Sequence, residues 1–183
     1  MINIKTNIAQ FIKTEIKQWN DTVKRATIAA ENKAAAQGLT FAKKTIRENY
    51  NIKASDLSKV MKKTKADKRG RVASIIATGK AIALAKFRAR QTKKGVSVTV
   101  KKGQRKLLRG HFIATMPSGH KGVFIRKEMS SGKKAPRLPI KERFGPGAAT
   151  LLGSRKVQGR VIVFIRQKFP KLYEDAFNHF KKK

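Results

Sequence analysis

Cysteine, acidic side chains and long apolar runs are missing or scarce in this chain of 183 residues. The absence of cysteine excludes disulfides and thiolate metal sites, and it suits synthesis in the cytoplasm. The apolar run Val161–Ile165 is far shorter than the roughly 20 residues of a membrane-spanning helix. The N-terminus also lacks the continuous apolar stretch of a secretory signal. We therefore expect neither a membrane span nor export by that route.

Acidic residues are few, because 10 Asp and Glu stand against 45 Lys and Arg, which gives a formal net charge of +35. A charge of this size opposes compaction unless counterions or an acidic partner neutralise part of it. With 40% hydrophobic residues, the chain still has enough apolar surface to fold. The composition therefore predicts a folded protein that works against a polyanion, and DNA is the first candidate.

The deficit of acid is concentrated in one segment, since the sixty residues 68–127 contain neither Asp nor Glu. A surface built only for solubility mixes both signs, whereas a surface of one sign can steer or neutralise a polyanion. Contacts of this kind to phosphate depend steeply on salt and are nearly blind to base sequence. The predicted contacts to the nucleic-acid backbone are Arg69, Arg71, Arg88, Arg90, Lys93, Lys94, Lys101, Lys102, Arg105, Lys106 and Arg109.

Sequence-specific nucleic-acid recognition finds no support in the motifs. The chain has no zinc-finger spacing, no basic leucine zipper and no RNA-recognition aromatic motif. Most phenylalanines fall at apolar periodic positions, which is typical of a core rather than of a stacking platform. Phe87 is the exception, because its neighbours in sequence are basic.

Catalytic and metal-binding patterns are equally weak. The three histidines, His111, His120 and His179, have no second histidine at ligand spacing. No serine occupies a nucleophile elbow, and the glycine clusters lack the form of a phosphate-binding loop. We expect no enzyme, no catalytic residue, no metal and no cofactor.

The N-terminal third reads as helical. Apolar residues recur every three or four positions and predict a long helix from Ile4 to about Tyr50, interrupted at Gly38. Ser55 is the predicted N-cap of a short helix. The Lys-rich segment Lys62–Arg71 is predicted to be a loop or hinge.

The remainder reads as strands followed by a helix. β-Branched and alternating residues predict strands near Val72–Thr78, Val96–Val100, His111–Met116 and Gly122–Arg126. Turns at Lys101–Gly103 and at 117–121 predict hairpins. Residues 130–159 are predicted to be an extended loop with one or two short helical turns, and Pro170 to divide the last helix into two pieces.

These elements predict an α+β fold with a long N-terminal helical arm, a small antiparallel β-sheet and a C-terminal helix broken or kinked at Pro170. We divide the chain into a helical region, 1–67, and a second region, 68–183. The second region holds the basic antiparallel sheet, the long Gly/Pro loop and the C-terminal helix. It forms one compact domain to which the first region is attached as an arm.

Five motifs occur in a characteristic order. They are FAKKTIRENYNI at 41–52, FRARQTKKGVSV at 87–98, HFIA at 111–114, GHKGVFIR at 119–126 and RLPIKERFGP at 137–146. The last two are the most specific. In this order, over roughly residues 39–180, the chain resembles the phage minor tail protein Z family.

The resemblance implies a structural virion protein of a long-tailed phage or prophage. Such a protein would act in tail completion and head–tail joining at the head-proximal end of the tail, after assembly in the host cytoplasm. Its partners would be tail-tube and connector or neck proteins, and we expect a homo-oligomeric ring with non-specific contact to DNA.

The motif residues carry over as architecture and none as a catalyst. The structural positions are Gly95, Gly122, Phe124, Arg126, Pro139, Ile140, Gly145 and Pro146. Gly122 and Phe124 are expected in a hairpin that Arg126 leaves. Pro139, Ile140, Gly145 and Pro146 are expected to fix the loop that leads to the final helix.

The main alternative is a free basic nucleic-acid-binding protein of ribosomal or nucleoid type. It would explain the charge and the absence of cysteine, but it gives no purpose to the Leu138–Ile140 loop. A third possibility, an enzyme acting on nucleic acid, lacks candidate ligands.

Overall fold

The computed structural model describes residues 2–4, 21–126 and 139–182. The helices in these ranges are α1 (Asp21–Asn49), α2 (Ala54–Val60), α3 (Ala148–Leu152) and α4 (Arg155–Lys181), with a 3₁₀ turn at Leu84–Lys86. The strands are β1 (Ile2–Ile4), β2 (Met61–Thr64), β3 (Ser74–Ala77), β4 (Ile82–Ala83), β5 (Arg90–Thr92), β6 (Gly95–Val98), β7 (Lys106–Arg109), β8 (His111–Thr115), β9 (Lys121–Arg126) and β10 (Ile140–Gly145). The α+β class is confirmed.

The chain divides into two units, and each combines segments that are distant in sequence. The first unit consists of Met1–Thr45, Leu57–Gly79 and Ala148–Lys183. The second consists of Ile46–Asp56 and Lys80–Gly147. The strands of the described residues pair antiparallel in three small sheets, ordered β1-β3-β2, β4-β10-β9-β8 and β5-β6-β7, where one sheet was expected.

Helix α1 passes through Gly38 without a break, so the predicted interruption is wrong. A Cβ at Gly38 would lie 2.8 Å from Ile165 Cδ1 and 3.1 Å from Ile75 Cδ1. The side chains of α4 and β3 therefore approach α1 so closely that glycine is the residue that fits here. This packing outweighs the low helix propensity of glycine. The predicted helix start is also wrong, because Ile4 belongs to β1 and pairs with Ile75. Residues 5–20 of that predicted helix lie outside the described residues.

Two further expectations for the first unit need correction. Helix α2 begins at Ala54, so Ser55 lies inside the helix and is not its N-cap. The start of the predicted Lys-rich loop is strand β2, which pairs with β3 in the register Met61↔Ala77 to Thr64↔Ser74. Met61 is 2% exposed, whereas the other three residues of β2 are exposed. Burial of the Met61 side chain therefore stabilises this strand.

Helix α4 is not broken at Pro170, because the helix runs unbroken from Arg155 to Lys181. Proline removes one backbone hydrogen bond and crowds the preceding turn. Pro170 is exposed, however, while Ile165 and Leu172 on either side of it are buried. Burial of this apolar stripe on both sides of the proline outweighs its local cost.

Replacing Pro170 with Ala should stabilise the first unit. Alanine restores the missing N–H donor and is a better residue in a helix interior, so the free energy of unfolding should rise by about 1–3 kcal/mol. Thermal and urea unfolding measure the change. The matched control is Pro117→Ala, because Pro117 occupies the turn closed by Gly119 N–H donating to Met116 O and its loss should be neutral or slightly destabilising. A Pro170→Ala protein no more stable than the parent would show that the proline costs this helix nothing.

In the second unit the two predicted hairpins are confirmed. Strands β6 and β7 flank the turn at Lys101–Gly103, and β8 and β9 flank the turn at 117–120. Gly122 and Phe124 lie in β9, and Arg126 is its last residue.

The segment expected over 130–159 to be an extended loop with one or two short helical turns contains a strand that was not expected, the short helix α3 and the start of α4. Ile140–Gly145 form β10, which pairs with β9 on one side and with β4 on the other. Pro139 precedes this strand and Pro146 follows it. Helices α3 and α4 begin at Ala148 and Arg155. Residues 130–138 lie outside the described residues.

Phe87 lies in the core of the second unit with 0% exposure, so its expected role in stacking is wrong. A Cβ at Gly145 would lie 2.8 Å from Phe87 Cε2. The motif glycine thus makes room for the motif phenylalanine.

No helix of the described ranges is both long and apolar enough to cross a membrane.

Candidate nucleic-acid interface

The edge strands of the sheet β5-β6-β7 carry exposed basic side chains, and all four residues of its central strand β6 are buried. Val96 and Val98 are 0% and 2% exposed and point to the interior. The register sets Arg90 opposite Ser97 and Ser97 opposite Leu107. Residues directly opposite one another in antiparallel strands share a face, and their neighbours in sequence lie on the other. We call the face opposite the valines the outer sheet face; it carries Arg90, Thr92, Ser97, Leu107 and Arg109, flanked by Lys93, Lys94 and Arg105.

A shallow groove of about 450 Å³ opens on the outer sheet face. It is lined by Thr92, Lys93, Lys94, Ser97, Arg105 and Leu107. Arg105 Nε donates to Ser97 Oγ at 2.5 Å, which lays the guanidinium across β6. No carboxylate is among the described residues that line the groove. Ser97 is 4% exposed, so its hydroxyl holds Arg105 and is not open to a ligand. The outer sheet face therefore offers cations and one exposed leucine, a surface suited to the phosphate backbone.

The predicted backbone-contact residues do not form one patch. Arg90, Lys93, Lys94, Arg105 and Arg109 meet on the outer sheet face. Lys106 pairs with Val98 and belongs to the opposite side of the strand, at an exposed position. Arg88 and Lys102 line a different cavity, next to which Lys101 forms a bridge with Tyr50. Arg69 and Arg71 belong to the first unit.

In the first unit, Asp67 organises the turn that carries Arg69 and Arg71. Its Oδ1 accepts the backbone N–H groups of Arg69 and Arg71 at 3.0 and 3.2 Å. The Arg71 guanidinium lies 2.6 Å from Asp67 Oδ2. The hydrogen bond from the Arg71 side chain is the main reason that the pKa of Asp67 is lowered. Since its charge is compensated inside the turn, Arg71 is a weaker candidate for phosphate contact than the outer-face cations.

The second cavity of the second unit measures about 800 Å³. The cations that line it are Arg47, Lys53, Lys86, Arg88, Lys102 and Lys121. Four of these were absent from the predicted set, namely Arg47, Lys53, Lys86 and Lys121. Arg47 and Lys53 lie before the acid-free segment, near Glu48 and Asp56, so a search for uninterrupted basic sequence passes over them.

The described histidines have structural partners. His111 Nδ1 lies 2.8 Å from the carbonyl of Arg109, and Arg143 Nε donates to His111 Nε2 at 3.3 Å. His120 Nε2 lies 2.8 Å from Glu142 Oε1. These bonds tie β8 and the β8–β9 turn to their surroundings within the second unit. In the described residues, no group of three or more His, Cys, Asp or Glu could hold a metal ion.

A family-model match over nearly the whole chain defines the class of protein as a phage minor tail protein. The family model of prophage minor tail protein Z (GPZ) matches residues 5–180, and the chain belongs to that family. No curated protein and no solved structure gives a match. A tail protein is part of the virion, and its structural partners are other virion proteins.

Proposed function

We propose that this protein completes the tail of a long-tailed phage or prophage and joins it to the head, as a structural component without catalytic activity. Its place is the head-proximal end of the tail, where tail-tube and connector or neck proteins are its neighbours. Support comes from membership of the minor tail protein Z family. The charge of +35 adds a reason for a position beside the genome.

Contact with DNA is the second part of the proposal, and the outer sheet face is the observation that carries it. Arg90 and Arg109 are exposed on this face. Lys93 and Lys94 are exposed and line its groove, which has no carboxylate among the described residues that line it. Such a surface binds the phosphate backbone and does not read bases. Copies arranged in a closed ring would repeat this face around an axis and present it to DNA passing through.

The assembly role is tested with a phage in which the gene is deleted. We expect particles with defective head–tail joining and a large loss of infectivity, both restored by the protein supplied from a plasmid. Electron microscopy of tails and particles measures the first effect and plaque counts the second. Normal joining together with full infectivity would refute the role in completion. A free nucleoid-type protein would also leave particle assembly intact.

The DNA contact is tested by titrating two duplexes of unrelated sequence across a range of salt. Both should bind with similar affinity, and log affinity should fall with log salt at a slope of about −0.9 for each neutralised phosphate. An affinity that stays flat with salt, or that differs strongly between the duplexes, would refute backbone contact.

A further inference from the structure

The 800 Å³ cavity of the second unit is lined by other residues than the outer sheet face. Its walls come from the end of α1, the segment between α1 and α2, the 3₁₀ turn and the β8–β9 hairpin. The volume lies within the range of about 300–1,000 Å³ typical of ligand pockets. The cavity is therefore large enough for a short piece of a polymer.

The positive charge of the lining side chains favours an anionic ligand in this cavity. Six cationic side chains line it, and Asp56 is the one carboxylate among its described lining residues. Asp56 Oδ1 accepts from Lys86 Nζ at 2.6 Å, so this acid is already engaged. Arg47, Lys53, Arg88, Lys102 and Lys121 are exposed cations. A guanidinium can hold a phosphate through two parallel hydrogen bonds, which favours Arg47 and Arg88 as the principal contacts.

The backbone at Arg88 supplies a second observation. Arg88 has φ +49° and is the one non-glycine residue at positive φ in the described part of the chain. This conformation is costly for a residue with a long side chain. Glycine would adopt it without strain, so an arginine here favours a role for its charge rather than for its backbone.

Aromatic and apolar surface distinguishes a nucleotide from an acidic peptide. Tyr50 lines the cavity beside Ile52, Ala85 and Ala89. A base brings a flat apolar face that stacks on an aromatic ring, whereas an aspartate or glutamate side chain does not. A single strand can place its phosphates against the two arginines and an unpaired base against the ring of Tyr50.

We infer that this cavity binds a single-stranded segment of nucleic acid, about two or three nucleotides long. Arg47 and Arg88 hold its phosphates and Tyr50 stacks on a base. The inference takes from the proposed function only that the polyanion is nucleic acid. It adds a ligand form, a single strand, and a site that the outer sheet face does not include.

The test uses calorimetry on the full chain with a 5′-phosphorylated thymidine trinucleotide. Tyr50→Leu should weaken its binding about tenfold or more through lost stacking, while Tyr50→Phe should retain it. An abasic trinucleotide with the same phosphates should not respond to Tyr50→Leu. Arg47→Gln combined with Arg88→Gly should weaken both ligands at least tenfold. Because Arg88→Gly also relieves the positive φ, the melting temperature should not fall.

Three outcomes would overturn the inference. Equal binding of the intact and abasic trinucleotides, with no effect of Tyr50→Leu, would reduce the site to a phosphate site, and inorganic triphosphate would then compete equally. Tighter binding of a hexa-aspartate peptide than of the trinucleotide would assign the cavity to an acidic protein segment. Trinucleotide binding that survives the arginine substitutions would place the ligand elsewhere.

The outer sheet face provides the control that separates this inference from the proposed function. Changing Arg90, Lys93, Lys94 and Arg109 to Gln should abolish most duplex binding and leave trinucleotide binding in the cavity. The cavity substitutions should do the reverse. If the unmodified protein binds the trinucleotide but no duplex, the proposed DNA contact fails and the single-strand site stands. If it binds duplex but no trinucleotide, the single-strand site fails and the proposed DNA contact stands.

Discussion

Replacing Arg90, Lys93, Lys94 and Arg109 with Gln should reduce the affinity for duplex DNA by about 100- to 1,000-fold at ~0.1 M salt. Each neutralised phosphate contributes about 0.9 to the slope of log affinity against log salt, so losing four contacts should make the slope shallower by about 3 to 4. The four side chains are exposed. Arg90 and Arg109 share the outer sheet face by strand register, and Lys93 and Lys94 line its groove. Their removal should not unfold the sheet, whose buried face is made by Val96 and Val98.

The control for this variant must remove the same charge from another surface. Lys24, Lys44, Arg155 and Arg166 are exposed on the helices of the first unit, and they also comprise two lysines and two arginines. Their replacement by Gln should change affinity and slope much less. Fluorescence anisotropy across a salt series measures both quantities. If the two variants lose affinity equally, the binding reflects net charge alone and the outer sheet face is not the site.

The strands that the sequence predicts are those with local signals. Val96 and Val98 alternate with polar residues, and Gly103 and Gly119 take the positive φ that their turns need. Strand β10 carries no such alternation, because Lys141, Glu142 and Arg143 follow one another. It forms because β4 and β9 pair with its two edges, and this information lies far away in sequence.

The two wrong interruptions of helices have a common cause. Gly38 and Pro170 both disfavour a helix locally, and both lie in helices that continue. At Gly38 the neighbouring side chains approach too closely for any larger residue. At Pro170 the buried apolar stripe continues on either side. Tertiary packing therefore determines that the helix continues at both positions, and local helix propensity does not reflect this packing.

The basic character of the second unit was predictable from composition, but the arrangement of its cations was not. The absence of acid over 68–127 predicts a segment rich in unpaired cations. Which cations share a face depends on strand register, so Arg90 and Arg109 meet while Lys106 points away. The cavity draws Arg47 and Lys53 from a stretch that also contains acids. Only folding brings them to Arg88 and Lys102.

Gly95→Ala should be among the most destabilising single substitutions in the second unit. Gly95 has φ +138°, and a Cβ there would lie 2.1 Å from the carbonyl oxygen of Leu108 and 3.0 Å from the Cα of Arg109. Both atoms belong to the backbone of β7, so relief requires separation of β6 from β7. We expect a loss of at least about 3 kcal/mol in the free energy of unfolding, because backbone strain and steric overlap add.

Substitutions at two other glycines serve as controls for the loss of stability expected at Gly95. Gly103 has φ +80°, and a Cβ added there would have no atom within 4 Å, so Gly103→Ala should cost only the left-handed backbone, about 1–2 kcal/mol. Gly79 has neither constraint, and Gly79→Ala should be close to neutral. Urea unfolding gives the free energies, and hydrogen exchange at β5–β7 locates the damage. A Gly95→Ala protein as stable as Gly103→Ala would contradict the close approach of β6 and β7.

Gly95→Ala also separates the placement of the cations from their number. The substitution leaves the net charge at +35, but it disturbs the register that brings Arg90 and Arg109 to one face. Duplex affinity should therefore fall although no charge is removed, and the salt slope should become shallower because fewer phosphates are contacted together. An unchanged slope in a protein with a disrupted β5–β7 sheet would mean that DNA is held by cations outside the outer sheet face.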